Sequence, residues 1–244
     1  MAKRRTISDM RMGYDMYERH QAVGTLLGAD LGGSVLDVGG LAGGLCRFMP
    51  AARVVALNVD GTGDMTYDGD DLPFDDCSFD VVVSLDTLEH VPPGGRGHFM
   101  AECARVARST LLVAAPYGTS GHSAYEARLD NLYRDVHGDH HRWLHEHVLN
   151  GLPCEADLAQ YRQLLTAAGF TVKTYYCGSY EWQCRNLERS LTLHRSLGPL
   201  RKLSGFYDLA TLASPWPEPV FAETPEDTTN RFYLLAVRGA VHEA

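Results

Sequence analysis

The chain has 244 residues, of which 45% are hydrophobic and 22% are charged, and its formal net charge is −9. This length suits one α/β domain with insertions and is enough to bury a substantial core. The negative charge and the lack of a long apolar run exclude a general nucleic-acid binder and a membrane-spanning protein, so we expect neither partner.

Cysteine usage and the first residues indicate the cellular compartment. The six cysteines are scattered and form no CxxC pair. The start of the chain lacks the charged-then-apolar pattern of a secretion signal. We therefore expect reduced thiols and a cytoplasmic protein.

Strand and helix patterns alternate along the chain. The helices are predicted after the Ser8-Asp9 cap as far as Leu27, after Pro92-Pro93, and at 156–168. The strands are predicted at 34–38, 53–57, 79–85, 110–115, 170–177 and 231–237. This alternation predicts a mostly parallel sheet with helices on both faces.

Three segments depart from a minimal α/β domain. The link from Leu57 to Tyr67 has no room for a crossover helix, so 64–67 is either a reduced edge strand or an extended loop. The insertions 118–153 and 178–230 exceed the usual loops, and the second carries helices predicted at 182–197 and 200–212. Each insertion is either a lid or binding loop or extra helical packing, within a single domain 1–244.

The stretch VLDVGGLAGGL, residues 35 to 45, is a strand that runs into glycines. Such a turn lets a ligand approach the backbone, and a helix start after it would offer free N–H groups. Leu41 stands where the dinucleotide fingerprint needs glycine, and no P-loop lysine follows. A nicotinamide oxidoreductase and a nucleoside triphosphatase are therefore disfavoured. Asn58 and Asp60 follow Asp37 by about 20 residues, where a ribose-binding group is expected.

The run YDGDDLPFDDCSFDVVVSLDTLEHVPP, residues 67 to 93, completes a recognisable combination. With the glycine turn and the polar end of the second strand, residues 30–117 resemble the class I S-adenosylmethionine-dependent methyltransferases, in their small-molecule branch. The resemblance implies a Rossmann-like seven-stranded sheet with an antiparallel last strand and helical insertions. It also implies an N-terminal helix, 1–28, over the cofactor site, with S-adenosylmethionine as cofactor and S-adenosylhomocysteine as product.

The resemblance further implies which residues hold this cofactor. Those at the methionine end are Asp37, Gly39, Gly40 and Gly43; those at the ribose are Asn58 and Asp60; those at the adenine are Asp68 and Gly69; those closing the pocket are Leu85 and Asp86. Two positions depart from the family pattern. Leu41 replaces the middle glycine of the turn, and Asn58 replaces the usual carboxylate.

The segment HGDHHRWLHEH, residues 137 to 147, holds five histidines. His137, His141 and His145 are four residues apart and would share a helix face, a spacing that could bind zinc. The alternatives are an exposed helix face and histidines that face the methyl acceptor. Because neither HExxH nor paired CxxC accompanies them, we expect no metal.

The predicted function is methyl transfer to a small-molecule acceptor, with O-methylation of a sugar, glycoside or specialised metabolite favoured. A hydroxyl acceptor must lose a proton, and histidine titrates near neutral pH. The candidate bases, in order, are His90, His140, His141 and His122. The alternative is an inactive methyltransferase-like binding or accessory protein, which Leu41 and Asn58 would favour. The two insertions also offer a surface for a homodimer.

Overall fold

Eight strands form one sheet in the part of the chain that the structure, a computed structural model, describes. The described residues are 13–185, 187–189, 191–192 and 217–239. The Ser8-Asp9 cap, the helix predicted at 200–212 and most of the C-terminal half of the helix predicted at 182–197 lie outside them. No helix in the described ranges is long and apolar enough to span a bilayer.

The helices and strands alternate much as the sequence predicts. The helices are α1 (Tyr14–Leu27), α2 (Pro93–Val106), α3 (Ser120–His137), α4 (Arg142–Asn150), α5 (Glu155–Ala167) and the short α6 (Tyr180–Gln183). The strands are β1 (Gly33–Val38), β2 (Ala52–Asn58), β3 (Met65–Thr66), β4 (Phe79–Leu85), β5 (Ala107–Pro116), β6 (Phe170–Ser179), β7 (Phe221–Ala222) and β8 (Thr229–Arg238).

The strand order is β3-β2-β1-β4-β5-β8-β6-β7. Neighbours from β3 to β5 pair in parallel, whereas β8 lies antiparallel between β5 and β6. This confirms the predicted Rossmann-like sheet with an antiparallel last strand. The described sheet has one strand more than the predicted seven, the two-residue β7 at its edge.

The segment 64–67, for which the sequence left an edge strand and an extended loop as alternatives, contains the edge strand β3. Met65 and Thr66 pair with Leu57 and Asn58, and the short link between them contains no helix. The Asp64 carboxylate accepts a hydrogen bond from the backbone N–H of Ala56 at 2.9 Å, which ties the link to β2. Residues 64–67 therefore form the reduced edge strand.

The expectation of a helix directly after the glycine turn is wrong. Only a three-residue 3₁₀ turn, Leu45–Arg47, separates the glycines from β2. The buried side chains of Phe48 and Met49 fill the space on this face of the sheet. A turn this short provides no helix N-terminus for a ligand.

Two apolar layers cover the sheet. Met100 of α2 and Leu158 of α5 belong to the cluster on one face, which includes Val82 of the central strand. Val23 of α1 packs on the other face with Val83. Because side chains alternate across a strand, the continuous valine run of β4 supplies both layers. Each fully buried aliphatic side chain here contributes about 1.5–3 kcal/mol.

The insertion after β5 folds as α3 and α4, which pack against each other. Thr119 caps α3 by accepting a hydrogen bond from the His122 N–H at 3.0 Å, and Gly138 ends it in the left-handed region. Leu129 and Leu144 are the buried apolar side chains of the two helices. The helices α3 and α4 come directly after β5 in the chain. Ligands of parallel sheets bind at the carboxyl ends of the strands.

Buried ion pairs fasten α1 to the sheet. Arg231 of β8, only 1% exposed, donates to both carboxylate oxygens of Asp86 at 2.7 and 2.6 Å. Arg19 of α1 reaches the same carboxylate at 2.5 Å, and Arg231 also pairs with Asp15 and Glu18 of α1. Burial alone would raise the pKa of Asp86, but the two arginine charges outweigh it and hold the pKa well below its usual range.

We expect Arg231→Met to lower the free energy of unfolding by about 3–5 kcal/mol, because the carboxylates around it would stay buried without a counter-charge. Urea denaturation measures this loss. The matched control is Arg108→Met, which breaks the largely exposed pair with Asp80 and should cost about 0–1 kcal/mol. Equal losses in the two variants would contradict the role of Arg231.

Candidate active site

The glycine turn lies at the carboxyl end of β1, beside the ends of β2 and β4. Asp37, one residue before the end of β1, is 1% exposed. Neither of its carboxylate oxygens has a hydrogen-bond partner among the described residues. Burial raises the pKa of Asp37 to about 7.

Two glycines of the turn leave no room for a side chain. Gly39 has a φ of +81°, and a Cβ there would overlap the Thr87 side chain. A Cβ at Gly40 would overlap the Asp37 carboxylate. The turn therefore lies directly over the buried acid, while Gly43, with a φ of +73°, faces open space.

Asn58 holds the glycine turn in place. Its side-chain N–H group donates to the carbonyl oxygens of Gly39 and Gly40 at 3.0 and 3.3 Å. Its amide oxygen accepts the N–H of Val59 at 2.8 Å. An amide is needed at this position because both turn atoms are acceptors. Exposed Asp60 is the nearby carboxylate, and hydrogen bonds from Thr62 lower its pKa.

The remaining residues predicted to bind the cofactor differ in their surroundings. Asp68 and Gly69 are exposed, and Gly69, with a φ of +96°, lies near the Val59 side chain. Leu85 is buried in the apolar layer below the turn. Asp86 accepts hydrogen bonds from Arg19 and Arg231 through both oxygens, so its carboxylate positions the end of β4.

His90, the first candidate base, lies in a cluster with two side chains that the sequence did not single out, Glu89 and His147. Glu89 Oε1 is 4.0 Å from His90 Nε2 and 3.9 Å from His147 Nε2. Burial, and next the charge of Asp86, raise the pKa of Glu89 to about 8. Burial and the neighbouring His147 charge lower the pKa of His90. The cluster lies after the carboxyl end of β4. Its residue His90 follows Thr87, which contacts the glycine turn, by three residues.

A series of contacting side chains connects this cluster to α3. His147 Nδ1 lies 3.0 Å from Glu126, whose other oxygen is 3.5 Å from His122 Nε2. Burial would raise the pKa of Glu126, but hydrogen bonds from the two histidines hold it at about 2. His122 Nδ1 also contacts the Tyr117 carbonyl oxygen at 2.9 Å. Both ring nitrogens of His122, the last of the four candidate bases, therefore have partners, and His122 supports α3.

The other two candidate bases lie around Asp130. His140 Nδ1 is 2.6 Å and His145 Nδ1 is 3.1 Å from the same Asp130 oxygen. His141 donates its backbone N–H to the other oxygen, and its ring accepts the N–H of Leu144 as the cap of α4. The structure thus brings His140 and His141 together with Asp130, away from the Glu89 cluster.

Sequence reasoning missed Glu89 and His147 for different reasons. Glu89 stood inside the quoted LEH run, but a lone carboxylate gives no sign of burial. His147 ends the histidine segment, and its position three residues after buried Leu144 places both on one face of α4. That spacing is the one signal that could have indicated an inward-facing histidine.

One family model matches part of the chain. A family model described as a methyltransferase domain, Methyltransf_11, matches residues 36–113. No curated protein matches the chain. The matched segment runs from β1 into β5 and includes the glycine turn, Asn58 and the Glu89-His90 pair.

Solved structures resemble the chain at low identity. Phosphoethanolamine N-methyltransferase 2 from Haemonchus contortus is 16% identical, with 91% of this chain and 52% of that chain covered and a TM-score of 0.51. A proposed sarcosine dimethylglycine methyltransferase from Galdieria sulphuraria is 16% identical, covering 91% and 84%, with a TM-score of 0.50. Magnesium protoporphyrin IX methyltransferase from Synechocystis is 17% identical, covering 98% and 90%, with a TM-score of 0.49.

The strand order and the glycine turn at the carboxyl edge define a Rossmann-like fold, and ligands of such sheets bind at this edge. The family match makes the class more specific. Residues 36–113 match a methyltransferase domain.

The buried carboxylate gives a pH-dependent prediction. The pKa of Asp37 is about 7 in the folded protein against a reference value of 3.8, so its ionisation progressively destabilises the fold as pH rises from about 4 to 7. Replacing it by asparagine removes this term. Relative to the wild type, Asp37→Asn should therefore gain about 2 kcal/mol in free energy of unfolding between pH 5.5 and pH 8.

Urea denaturation at the two pH values measures this difference. The control is Asp80→Asn, because hydrogen bonds from Ser34 hold the pKa of Asp80 low and keep it ionised at both pH values. The control should differ from the wild type by the same amount at each pH. A pH-independent effect of Asp37→Asn would show that Asp37 is ionised throughout.

Proposed function

We propose that this protein is an S-adenosylmethionine-dependent methyltransferase that transfers a methyl group to a hydroxyl of a small-molecule acceptor, such as a sugar, glycoside or specialised metabolite. The observation that carries the proposal is the cluster of buried Glu89 and half-buried His90 and His147 after the carboxyl end of β4. A hydroxyl, unlike a neutral amine, must lose its proton during transfer, and His90, whose pKa is lowered by burial, is the proton acceptor of this cluster.

Two features support the position of the cofactor, namely the buried carboxyl group of Asp37 and the open backbone of the glycine turn. S-adenosylmethionine supplies an activated methyl group on a positively charged sulfonium, so that little further chemical activation is needed. The buried Asp37 carboxyl has no hydrogen-bond partner among the described residues, and a cationic ligand beside it would favour its ionised form. The bare backbone of Gly39 and Gly40 allows close approach.

The assignments along the cofactor follow this placement. Gly43 and Asp37 lie at the methionine end in this proposal, and Asp60 supplies the ribose carboxylate because Asn58 donates to the turn. Asp68 and Gly69 lie at the adenine side. Asp86 acts indirectly, by holding Arg19 and Arg231 at the end of β4.

The acceptor side is covered by α4. Trp143 packs edge-on against His90, with ring centroids 5.2 Å apart, and Glu146 contacts His90 Nδ1 at 2.7 Å. Asn150 donates to the carbonyl oxygens of Glu89 and His90. A helix so placed orients the acceptor and excludes water, which supplies much of the rate of a methyl transfer.

Calorimetric titration with S-adenosylmethionine and S-adenosylhomocysteine tests the cofactor site. We expect micromolar binding of both. Gly40→Ala should weaken it by about tenfold or more, because overpacking of this kind costs about 1–3 kcal/mol. The control Gly94→Ala, in the open first turn of α2, should bind as the wild type does. Absence of binding to the wild type would favour the accessory-protein alternative.

Labelled S-adenosylmethionine and a panel of sugar, glycoside, phenol and amine acceptors test the reaction. We expect O-methylated products from the hydroxyl acceptors. His90→Ala should lower kcat by about 10²–10⁴-fold while leaving cofactor affinity unchanged, because His90 acts on the acceptor. The control is His98→Ala, whose side chain is 57% exposed. Methylation confined to amines, or equal activity in both variants, would contradict the proposal.

A further inference from the structure

We propose that Glu89, His90 and His147 bind a divalent transition-metal cation of the zinc type, which holds the acceptor hydroxyl. This inference rests on the proposed function for the role of the metal, but the metal site itself stands on the geometry of the cluster. It replaces the expectation of no metal, which rested on the absence of HExxH and of paired CxxC.

The three side chains converge on one point. Their potential ligand atoms all lie within 4.8 Å of one another, and the two histidine rings are 4.9 Å apart between centroids. Ligand atoms about 2.0–2.2 Å from a tetrahedral zinc are separated by roughly 3.4 Å. Small side-chain rotations therefore bring this set to ligand distance, and the present separations are too long for hydrogen bonds.

Two polar atoms of the cluster are buried without partners. His147 Nε2 and Glu89 Oε2 have no hydrogen-bond partner among the described residues, and Glu89 is 1% exposed. A buried polar atom left unpaired costs roughly 1–3 kcal/mol. A cation at the centre of the cluster would bind His147 Nε2 and the Glu89 carboxylate, whose Oε1 faces both histidines, and would displace the proton that burial favours on Glu89.

The outer ring nitrogens support the same conclusion. His90 Nδ1 is 2.7 Å from Glu146, and His147 Nδ1 is 3.0 Å from Glu126. A carboxylate on Nδ1 places the proton there and leaves Nε2 as a lone-pair donor toward the cluster. Histidines that bind metals are held in this way.

The backbone around the cluster is also held. Asn150 bridges the carbonyl oxygens of Glu89 and His90, and Arg96 donates to the carbonyl oxygens of Val91 and Gly151. These bonds fix the turn after β4 against α4, the two elements that supply the three ligands. The site is therefore formed before any ion enters.

The second group of possible ligands, Asp130, His140 and His145, lacks these features. The atoms that face one another are already hydrogen-bonded, since both histidine Nδ1 atoms contact one Asp130 oxygen. The other Asp130 oxygen accepts the His141 N–H. This group is satisfied as it stands, so we propose no metal there.

The ligand set indicates the metal and its use. Two imidazoles and one carboxylate suit zinc and neighbouring divalent metals, and three protein ligands leave a position open. That position would take the acceptor hydroxyl. Its O–H bond breaks with release of the proton to solvent, the oxygen–methyl bond forms, and the electron pair of the broken methyl–sulfur bond stays on sulfur. His90 then acts as a ligand that positions the acceptor.

Elemental analysis and titration of the full chain, purified without a histidine tag and stripped with chelator, test the site. Titration with ZnCl₂, followed by calorimetry, should give one high-affinity ion per chain. With CoCl₂ the same site should give a visible absorption band of low-symmetry nitrogen and oxygen coordination. His147→Ala and Glu89→Gln should each weaken binding by at least about tenfold, and Glu126→Gln by about 10–100-fold through loss of ligand orientation.

The matched control is His145→Ala, which removes a histidine of the Asp130 group and should retain the ion. Thermal melts of every variant without metal show whether each one folds. Lack of binding to the folded wild type, or equal losses in His145→Ala and His147→Ala, would overturn the inference. Titration with S-adenosylmethionine on the same samples separates the two proposals. Cofactor binding and O-methylation by the metal-free protein would leave the proposed function standing and refute the role of the metal.

Discussion

The pairing of Arg231 with Asp86 is the interaction on which the arrangement of this site depends. A guanidinium buried at 1% exposure is tolerated only because carboxylates from two other elements surround it. The strand β8, the end of β4 and the helix α1 therefore have one relative position that satisfies all the charges. Thr87, which contacts the glycine turn, and Glu89 both follow Asp86 within three residues, so this junction holds the strand end that leads to both groups.

A second constraint comes from the short edge of the sheet. Without a helix between β2 and β3, the link folds back over the glycine turn, where Ala42 donates its N–H to the Thr62 carbonyl oxygen at 3.0 Å. Asn58 is bonded to the same turn. The glycine turn is thus held by loops that stabilise each other, whereas the Glu89 cluster is held by the helix α4.

Much of the sheet was predictable from the sequence because its strands are apolar runs that end at glycine, proline or acidic residues. The strand Phe79–Leu85 was predicted to the residue, since a valine run buried on both faces has few alternatives. The glycine turn and the family resemblance followed from residues that are contiguous in the chain. Both kinds of signal are local.

The cluster of Glu89, His90 and His147 was not predictable in the same way. His90 and His147 are brought together by the packing of α4 on the turn after β4, a contact between segments 57 positions apart, whereas helical spacing directed attention to His141 and His145. Likewise, nothing in the sequence shows that Asp86 meets two arginines from distant elements. Burial and long-range charge pairing decide what these side chains do.

The bonds of Asn58 have a consequence for how the chain departs from its relatives. A carboxylate at this position would direct negative oxygens at the carbonyl oxygens of Gly39 and Gly40, where the amide now donates. Reversion to the acid that the family usually carries would therefore repel the turn. Because Asn58 bonds both the turn and Thr62 of the shortened edge, we expect the effects of substitutions at these positions to be non-additive.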